Sequence, residues 1–227
     1  MDYVVVSLGG SVLVPDDHDL EYLSALASML RKATKKNRLV LVCGGGKVAR
    51  YYINLAREMR ANRDVQDELG INITRLNARI LRIALGVDAD DVMPRTVPEA
   101  VEEAHKGKIV VMGGTVPGHT TDAVSAMVAS ELKAARIVNA TSVDAAYSAD
   151  PKKYDDAERF TEITHQRLFD LVNKGLHAAG PSDVFDRLGA QVAMQSNIPV
   201  YVVHGRDLED LEKAIAGEKV KGTVVRN

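Results

Sequence analysis

The sequence predicts an α/β protein with a mostly parallel central sheet that is covered by helices on both faces. Short apolar runs rich in β-branched residues, which are typical of buried parallel strands, alternate with longer helical segments along the whole chain. Such alternation implies right-handed crossovers between parallel strands. Three of the apolar runs lead directly into glycine clusters, at Gly9-Gly10, Gly44-Gly45-Gly46 and Gly113-Gly114. We therefore expect the three clusters at one edge of the sheet.

The bulk composition fits one folded domain with little net charge. Hydrophobic residues make up 46% and charged residues 26% of the 227 residues, which allows a sizeable core and argues against disorder. The 29 Lys and Arg residues nearly balance the 31 Asp and Glu residues, so the formal charge of −2 gives no signature of a nucleic-acid or membrane-surface binder. We expect a single domain over 1–227, with one lobe at about 1–135 and a second at about 136–227.

The cysteine content and the first residues both favour a cytoplasmic protein. Cys43 is the only cysteine, so it can form no internal disulfide, and at the end of a strand it is expected to be a buried apolar residue. The chain begins almost directly with a strand, so no signal peptide is predicted. No apolar run approaches the roughly 18 residues that cross a bilayer.

In the first half of the chain, the apolar runs that precede the glycine clusters predict strands over 3–8, 39–43 and 108–112. The polar break at Asn62-Arg63-Asp64 separates two long helical stretches. A short strand is also expected near 90–93. The predicted helices of this half cover 19–34, 47–61, 65–85, 97–105 and 121–133.

The second half begins with a predicted strand over 136–141, followed by a polar stretch from Tyr147 to Glu158. This stretch contains the turn Asp150-Pro151 and is only about a dozen residues long, so a functional edge loop is favoured over a domain linker. The remaining predicted elements are helices over 165–174, 183–195 and 207–216 and strands over 199–203 and 222–225.

The glycine clusters predict a site for phosphate or a nucleotide. Glycines just past a strand let a ligand approach the backbone closely, and the N–H groups of a helix that starts there favour an anion. One such loop often serves only a tight turn, but three at one edge favour a ligand site. The segment from Gly44 to Arg50 lacks the spacing of a Walker A loop. Lys47 and Arg50 are candidate cations for a bound dianion, although a solvated helix face would also explain them.

A second candidate is the hydroxyl-rich loop from Thr115 to Asp122. Its Pro117-Gly118 step makes a turn, and Thr120 or Thr121 is a plausible cap for the following helix. Capping does not explain why further hydroxyls and His119 crowd the same loop. We expect the loop to hold a phosphate or the edge of a base. The six histidines show no metal-ligand spacing, so His119 is interpreted as a hydrogen-bonding residue and no protein metal ligand is predicted.

A third candidate follows the strand over 136–141 and therefore lies at the same edge of the sheet. Tyr147 offers a ring for an adenine, and Lys152 and Lys153 offer charge for outer phosphates. A polar surface turn explains this segment equally well. No nucleophile elbow, metalloprotease motif or paired-carboxylate signature is present. Phosphoryl transfer needs none of these, because positioning and charge neutralisation do most of the work. The residues therefore predict a small-molecule kinase.

In this order, the three glycine clusters and the segment Val143 to Pro151 resemble the amino-acid kinase superfamily. The stretch Gly-Gly-Thr-x-Pro-Gly-His-Thr-Thr-Asp-Ala over 113–123 is similar, more closely, to the archaeal-type uridylate kinases of that superfamily. The resemblance implies the amino-acid kinase fold, a three-layer α/β/α sandwich. It also implies a homohexamer that makes UDP from UMP with ATP and Mg²⁺, in pyrimidine nucleotide biosynthesis.

The resemblance also implies the ligand-binding residues, with Asp67 on the ribose hydroxyls. Those implied for UMP are Gly45, Asp67, Thr115, Val116, Pro117, Gly118, His119, Thr120 and Thr121. Those implied for ATP are Gly10, Ser11, Gly46, Arg50, Thr141, Tyr147 and Asp150.

The chain departs from the family pattern at positions where relatives often carry charged groups. Ser7 stands where many superfamily members have a lysine, Gln191 stands where related kinases often have one, and Ser142 replaces a polar or charged group. Lys47 and Arg50 are therefore the candidate catalytic residues, with Lys152 and Mg²⁺ as further sources of positive charge. Two alternatives stay open. One is another small-molecule kinase of this superfamily, acting on isopentenyl phosphate, a carbamate or an amino-acid carboxylate. The other is a non-catalytic nucleotide-binding protein.

Overall fold

The structure is a computed structural model that describes residues 1–15, 19–87, 92–107, 109–149, 151, 153–174 and 184–227. Its strands are β1 (Asp2–Leu8), β2 (Asn37–Cys43), β3 (Val110–Met112), β4 (Arg136–Thr141), β5 (Ala146–Tyr147), β6 (Arg159–Phe160), β7 (Glu162–Ile163), β8 (Val200–His204) and β9 (Thr223–Val225). Its helices are α1 (Gly10–Leu13), α2 (Leu20–Ala33), α3 (Gly46–Glu58), α4 (Arg63–Leu85), α5 (Val97–His105), α6 (Thr121–Leu132), α7 (His165–Lys174), α8 (Arg187–Ser196) and α9 (Leu208–Ala216).

Seven strands form one sheet in the order β3-β2-β1-β4-β8-β9-β7. Every neighbouring pair is parallel except β8 with β9, which is antiparallel. The predicted mostly parallel sheet is therefore confirmed. The sheet runs through both predicted lobes, and the division of the chain near residue 135 stays a prediction.

The alternation of apolar side chains along the strands builds two cores. In β1, Val4 and Val6 belong to one buried cluster and Val5 to the other, because successive side chains of a strand point to opposite faces. Helices α2, α4 and α9 contribute to the cluster of Val4, and α5, α6, α7 and α8 contribute to the cluster of Val5. The fold is thus the three-layer α/β/α sandwich that was predicted.

Helix boundaries follow local capping chemistry. The side chain of Asn62 accepts a hydrogen bond from the Val65 amide and starts α4, and Gly86 ends that helix at a φ of 67°. The break predicted at Asn62 is therefore a helix cap. Of the two threonines predicted as caps of α6, Thr120 holds the position, since its hydroxyl accepts from the Ala123 amide.

The structure differs from the sequence prediction mainly in short elements. The predicted edge loop from Tyr147 to Glu158 joins the antiparallel strands β5 and β6, and these two strands, α1 and β7 were not predicted. Elements of two to four residues are too short to show a period. Residues 90 and 91 of the strand predicted near 90–93 lie outside the described residues, and residues 92 and 93 lie in no strand. Among the helices described here, none has the length and apolarity that a membrane span requires.

Candidate functional site

Two open cavities adjoin at the carboxyl edge of β1, β2, β3 and β4. The first, of about 360 Å³, lies between α3, α4 and the loop after β3. The second, of about 540 Å³, lies between the loops that follow β1, β2 and β4. Both cavities are lined by Gly45, Gly46, Arg50 and Thr121. A group bound in one cavity can therefore reach a group bound in the other.

The floor of the site is made by two glycine loops that cross in contact. A Cβ atom on Gly10 would overlap the backbone nitrogen of Gly46, and a Cβ atom on Gly46 would lie 2.5 Å from the Ser11 nitrogen. Gly46 also has a φ of 63°, which favours glycine. Gly45 has an ordinary φ of −88°, but a Cβ atom there would overlap Ala49. The first two glycine clusters are thus required for close backbone approach.

Helix α4 holds both the loop after β2 and the loop after β3. Asn77 Nδ2 donates to the Gly44 carbonyl at 2.8 Å, and the Gly114 amide donates to Thr74 Oγ1 at 2.7 Å. The Gly118 amide donates to Asp67 Oδ2 at 2.9 Å. Thr74 and Asn77 are buried and were missed from the sequence. Polar residues three positions apart on the apolar face of a predicted helix are the signal that could have found them.

Most residues implied for UMP surround the first cavity. Those that line it are Gly45, Asp67, Val116, Gly118, His119, Thr120 and Thr121. Thr115 and Pro117 belong to the same loop without lining the cavity, and the Thr115 hydroxyl is buried with no hydrogen-bond partner in the described part of the chain. Thr120 also donates to the carboxylate of Asp186, which caps α8. The loop is therefore tied to a helix of the second half of the chain.

The residues implied for ATP separate into two places. Gly10, Ser11, Gly46, Arg50 and Thr141 line the second cavity. Tyr147 does not line it, and Asp150 and Lys152 lie outside the described residues.

In the β5–β6 pair, the Tyr147 hydroxyl and Arg159 Nε each donate to the carboxylate of Asp144, at 2.9 and 3.1 Å. Burial acts to raise the pKa of Asp144, but these two hydrogen bonds outweigh it and the pKa is lowered. Burial raises the pKa of Tyr147, and its bond to Asp144 adds to the rise. Tyr147 is therefore held as a neutral donor at the rim of the hairpin.

Of the two candidate catalytic cations, only Arg50 lines the cavities. Its Nη2 donates to Ser11 Oγ at 3.3 Å, across the point where the cavities join. Lys47 occupies the first turn of α3 but lines neither cavity. The geometry therefore favours Arg50 for contact with a group in transfer.

The inner wall of the second cavity is polar and carries one carboxylate. Ser7 and Asn139 are buried there, and Ser7 Oγ donates to Asp122 Oδ1 at 2.7 Å. The Asn139 amide donates to the Val184 carbonyl. Asp122 is the one carboxylate among the described lining residues. The described residues contain no group of three His, Cys, Asp or Glu side chains that could hold a metal ion.

The chain matches known kinases over nearly its whole length. The model of the amino acid kinase family matches residues 2–204. A uridylate kinase of Methanoculleus marisnigri is 45% identical over 225 residues, which cover 99% of this chain and 96% of the relative. A uridylate kinase of Thermococcus onnurineus is 41% identical, with 98% of each chain covered. The crystal structure of a uridylate kinase from Archaeoglobus fulgidus superposes with a TM-score of 0.86 at 41% identity, covering 99% of this chain and 100% of that chain.

Proposed function

This chain belongs to the amino acid kinase family, and we propose that it transfers the γ-phosphoryl group of ATP to UMP to give UDP, a step of pyrimidine nucleotide biosynthesis. The observation that carries the proposal is the junction of two cavities at Gly45, Gly46, Arg50 and Thr121. Two substrates that exchange a phosphoryl group must meet in line and within contact distance. One cavity alone would suit a binding protein equally well.

The proposal assigns UMP to the first cavity. Its outer wall carries Asp67, whose carboxylate suits the paired hydroxyls of a ribose, and its inner end carries Gly45 and Gly46 at the start of α3. Helix N-termini favour an anion, so the monophosphate would lie against these glycines, next to the junction. The loop from Val116 to Thr121 then faces the base.

The proposal assigns ATP to the second cavity, with its γ-phosphate at the junction. The crossed loops of Gly10 and Gly46 bring backbone to the phosphates, and Thr141, whose backbone lies next to Gly9, also lines this cavity. The Arg50 guanidinium, bonded to Ser11, would neutralise charge on the phosphoryl group in transfer. No covalent intermediate is required, because positioning and charge neutralisation carry phosphoryl transfer.

We propose Mg²⁺ as the metal that accompanies ATP. Mg²⁺ is commonly held by one or two carboxylates together with substrate phosphates, and the single carboxylate of Asp122 on the inner wall fits that donor set. When bound, the ion would neutralise the β- and γ-phosphate oxygens. Ser7 would keep Asp122 in place through its 2.7 Å hydrogen bond.

The decisive experiment measures ATP consumption with purified protein and four acceptors: UMP, CMP, isopentenyl phosphate and carbamate. We expect rapid turnover with UMP and much slower turnover with CMP. Preference for either of the last two would replace the proposal by another kinase activity, and binding without turnover would leave a nucleotide-binding protein. Arg50→Ala should lose most of the activity, whereas Arg57→Ala, an exposed arginine of the same helix that lines neither cavity, should retain it.

We also propose that the protein assembles as a homohexamer in the cytoplasm, where UMP and ATP are made. Helices α3 and α4 support self-association, because Tyr51, Leu55, Leu76 and Ile83 are large apolar side chains exposed on them. Light scattering coupled to size-exclusion chromatography measures the mass directly. A mass of about 25 kDa at all concentrations would contradict the assembly without touching the proposed activity.

A further inference from the structure

One arginine of α4 donates hydrogen bonds to two successive carbonyl groups of the loop after β3. Arg75 Nε donates to the Gly114 carbonyl at 3.2 Å, and Arg75 Nη2 donates to the Thr115 carbonyl at 3.0 Å. Burial, reinforced by the nearby charge of Arg95, lowers the pKa of Arg75, but a guanidinium stays protonated in proteins. The planar fork of Arg75 therefore fixes the orientation of two adjacent peptide groups.

The orientation of the carbonyls determines the orientation of the neighbouring amides. In a planar trans peptide the N–H points opposite to the C=O, and the described peptide bonds are trans. The amides of Thr115 and Val116 consequently point away from Arg75. Neither donates a hydrogen bond within the described part of the chain. Gly114 and Val116 line the first cavity and Thr115 does not, so the two peptide groups that join these three residues lie at the cavity wall.

A second, independent observation at this place also points to a ligand. The Oγ1 atom of Thr115 has no hydrogen-bond partner among the described residues, although Thr115 is only 9% exposed. A buried hydroxyl without a partner is unfavourable unless a ligand satisfies it. The loop thus holds two fixed donors and one adaptable hydroxyl that the protein itself does not use.

We propose that Arg75 is a positioning residue that makes the site select uracil over cytosine. The inference rests on the proposed function. Uracil presents a carbonyl acceptor at C4, whereas cytosine presents an amino donor there. The Thr115 hydroxyl can rotate to suit either base, but amide donors held by Arg75 cannot, so an amino group would face unpaired donors. Discrimination between the bases therefore depends on the two amides, and through them on Arg75.

The test compares kcat/KM for UMP and CMP in the unmodified protein, Arg75→Ala, Arg75→Lys and the control Arg79→Ala. Arg79 is exposed one turn further along α4 and makes no hydrogen bond or ion pair with the loop in the described part of the chain. We expect the UMP-to-CMP ratio to fall about tenfold or more in Arg75→Ala, with the KM for ATP unchanged. Arg75→Lys should recover part of the ratio, because an ammonium cannot match the fork. Arg79→Ala should keep the full ratio.

The two possible failures are distinguishable. An unmodified protein that turns over neither nucleotide would overturn the proposed function and this inference with it. An unmodified protein that is selective for UMP, together with an Arg75→Ala variant that loses UMP and CMP activity equally, would overturn only the role of Arg75. The thermal stability of Arg75→Ala and Arg75→Lys is measured as well. If Arg75→Ala is unfolded, the UMP-to-CMP ratio of kcat/KM in Arg75→Lys decides the role of Arg75.

Discussion

The hydroxyl of Ser7 donates a 2.7 Å hydrogen bond to the carboxylate of Asp122 across 115 positions of sequence. The bond joins the carboxyl end of β1 to the first turn of α6 inside the second cavity. A neutral hydroxyl thus stands where the family resemblance leads one to expect a lysine. Among the described residues that line the second cavity, Arg50 is the one cationic side chain.

We expect Ser7→Ala to lower kcat about tenfold, because Asp122 would lose a hydrogen-bond donor that helps to hold it in the second cavity. Steady-state kinetics with UMP and MgATP measure the effect. Ser130→Ala is the matched control, since half-buried Ser130 accepts a 2.7 Å hydrogen bond from Ser196 between α6 and α8 and lines neither cavity. Equal losses in both variants would argue that Ser7 contributes only to folding.

Asp67→Asn should weaken UMP binding by about 1–3 kcal/mol and leave the binding of a non-hydrolysable ATP analogue unchanged. The substitution keeps the shape of the side chain but removes the charge that faces the first cavity and accepts from the Gly118 amide. Isothermal titration of each ligand measures both affinities. Asp64→Asn changes an exposed carboxylate one turn earlier and should bind UMP normally. Unchanged UMP affinity in Asp67→Asn would remove this residue from the acceptor site.

Two glycines with the same backbone conformation should respond differently to alanine. Gly46 has a φ of 63° and Gly86 a φ of 67°. A Cβ atom on Gly86 meets nothing within 4 Å, so Gly86→Ala should cost about 1 kcal/mol of stability and keep full activity. A Cβ atom on Gly46 would press on Gly10 and Ser11, so Gly46→Ala should abolish ATP binding. Denaturation and ATP titration separate the two effects, and an active Gly46→Ala protein would contradict the crossed-loop site.

The thiol of Cys43 should be unreactive in the native state and should make stability pH-dependent above neutrality. Cys43 is fully buried, and burial raises its pKa. Since the folded thiol keeps its proton while an unfolded one loses it near pH 8.5, the stabilisation is complete below that pH and declines as pH rises. Urea denaturation between pH 7 and 10 should show a steeper decline for the unmodified protein than for Cys43→Ala. Rapid labelling of the native thiol with Ellman's reagent would contradict its burial.

The sequence predicts the sheet and the long helices because their signals are local. The apolar run of β1 and its following glycines are visible in ten residues, and the cap at Asn62 is visible in three. The β5–β6 pair was not predictable, because two-residue strands gain their stability from pairing with distant residues. Of the residues around the two cavities, the sequence predicted those that lie in the loops after the strands.

The residues that hold those loops were not predicted. Thr74 and Asn77 differ from their helix neighbours only as polar residues on an apolar face, and their partners Gly114 and Gly44 are more than thirty positions away in the sequence. For the same reason nothing in the sequence indicated Arg75. The family resemblance implied Tyr147 for ATP, but the structure holds its hydroxyl against Asp144 and outside the second cavity. Its role at ATP stays a prediction.

Helix α4 sets the distance between two loops of the site. Asp67 anchors the outer loop and Asn77 anchors the phosphate floor, ten residues later and therefore roughly 15 Å further along the helix axis. One inserted residue between them would rotate one anchor by about 100° relative to the other and detach a loop. Length variation among relatives is thus expected to stop short of residue 67 and to resume only beyond residue 77, even though this segment contains no residue that reacts.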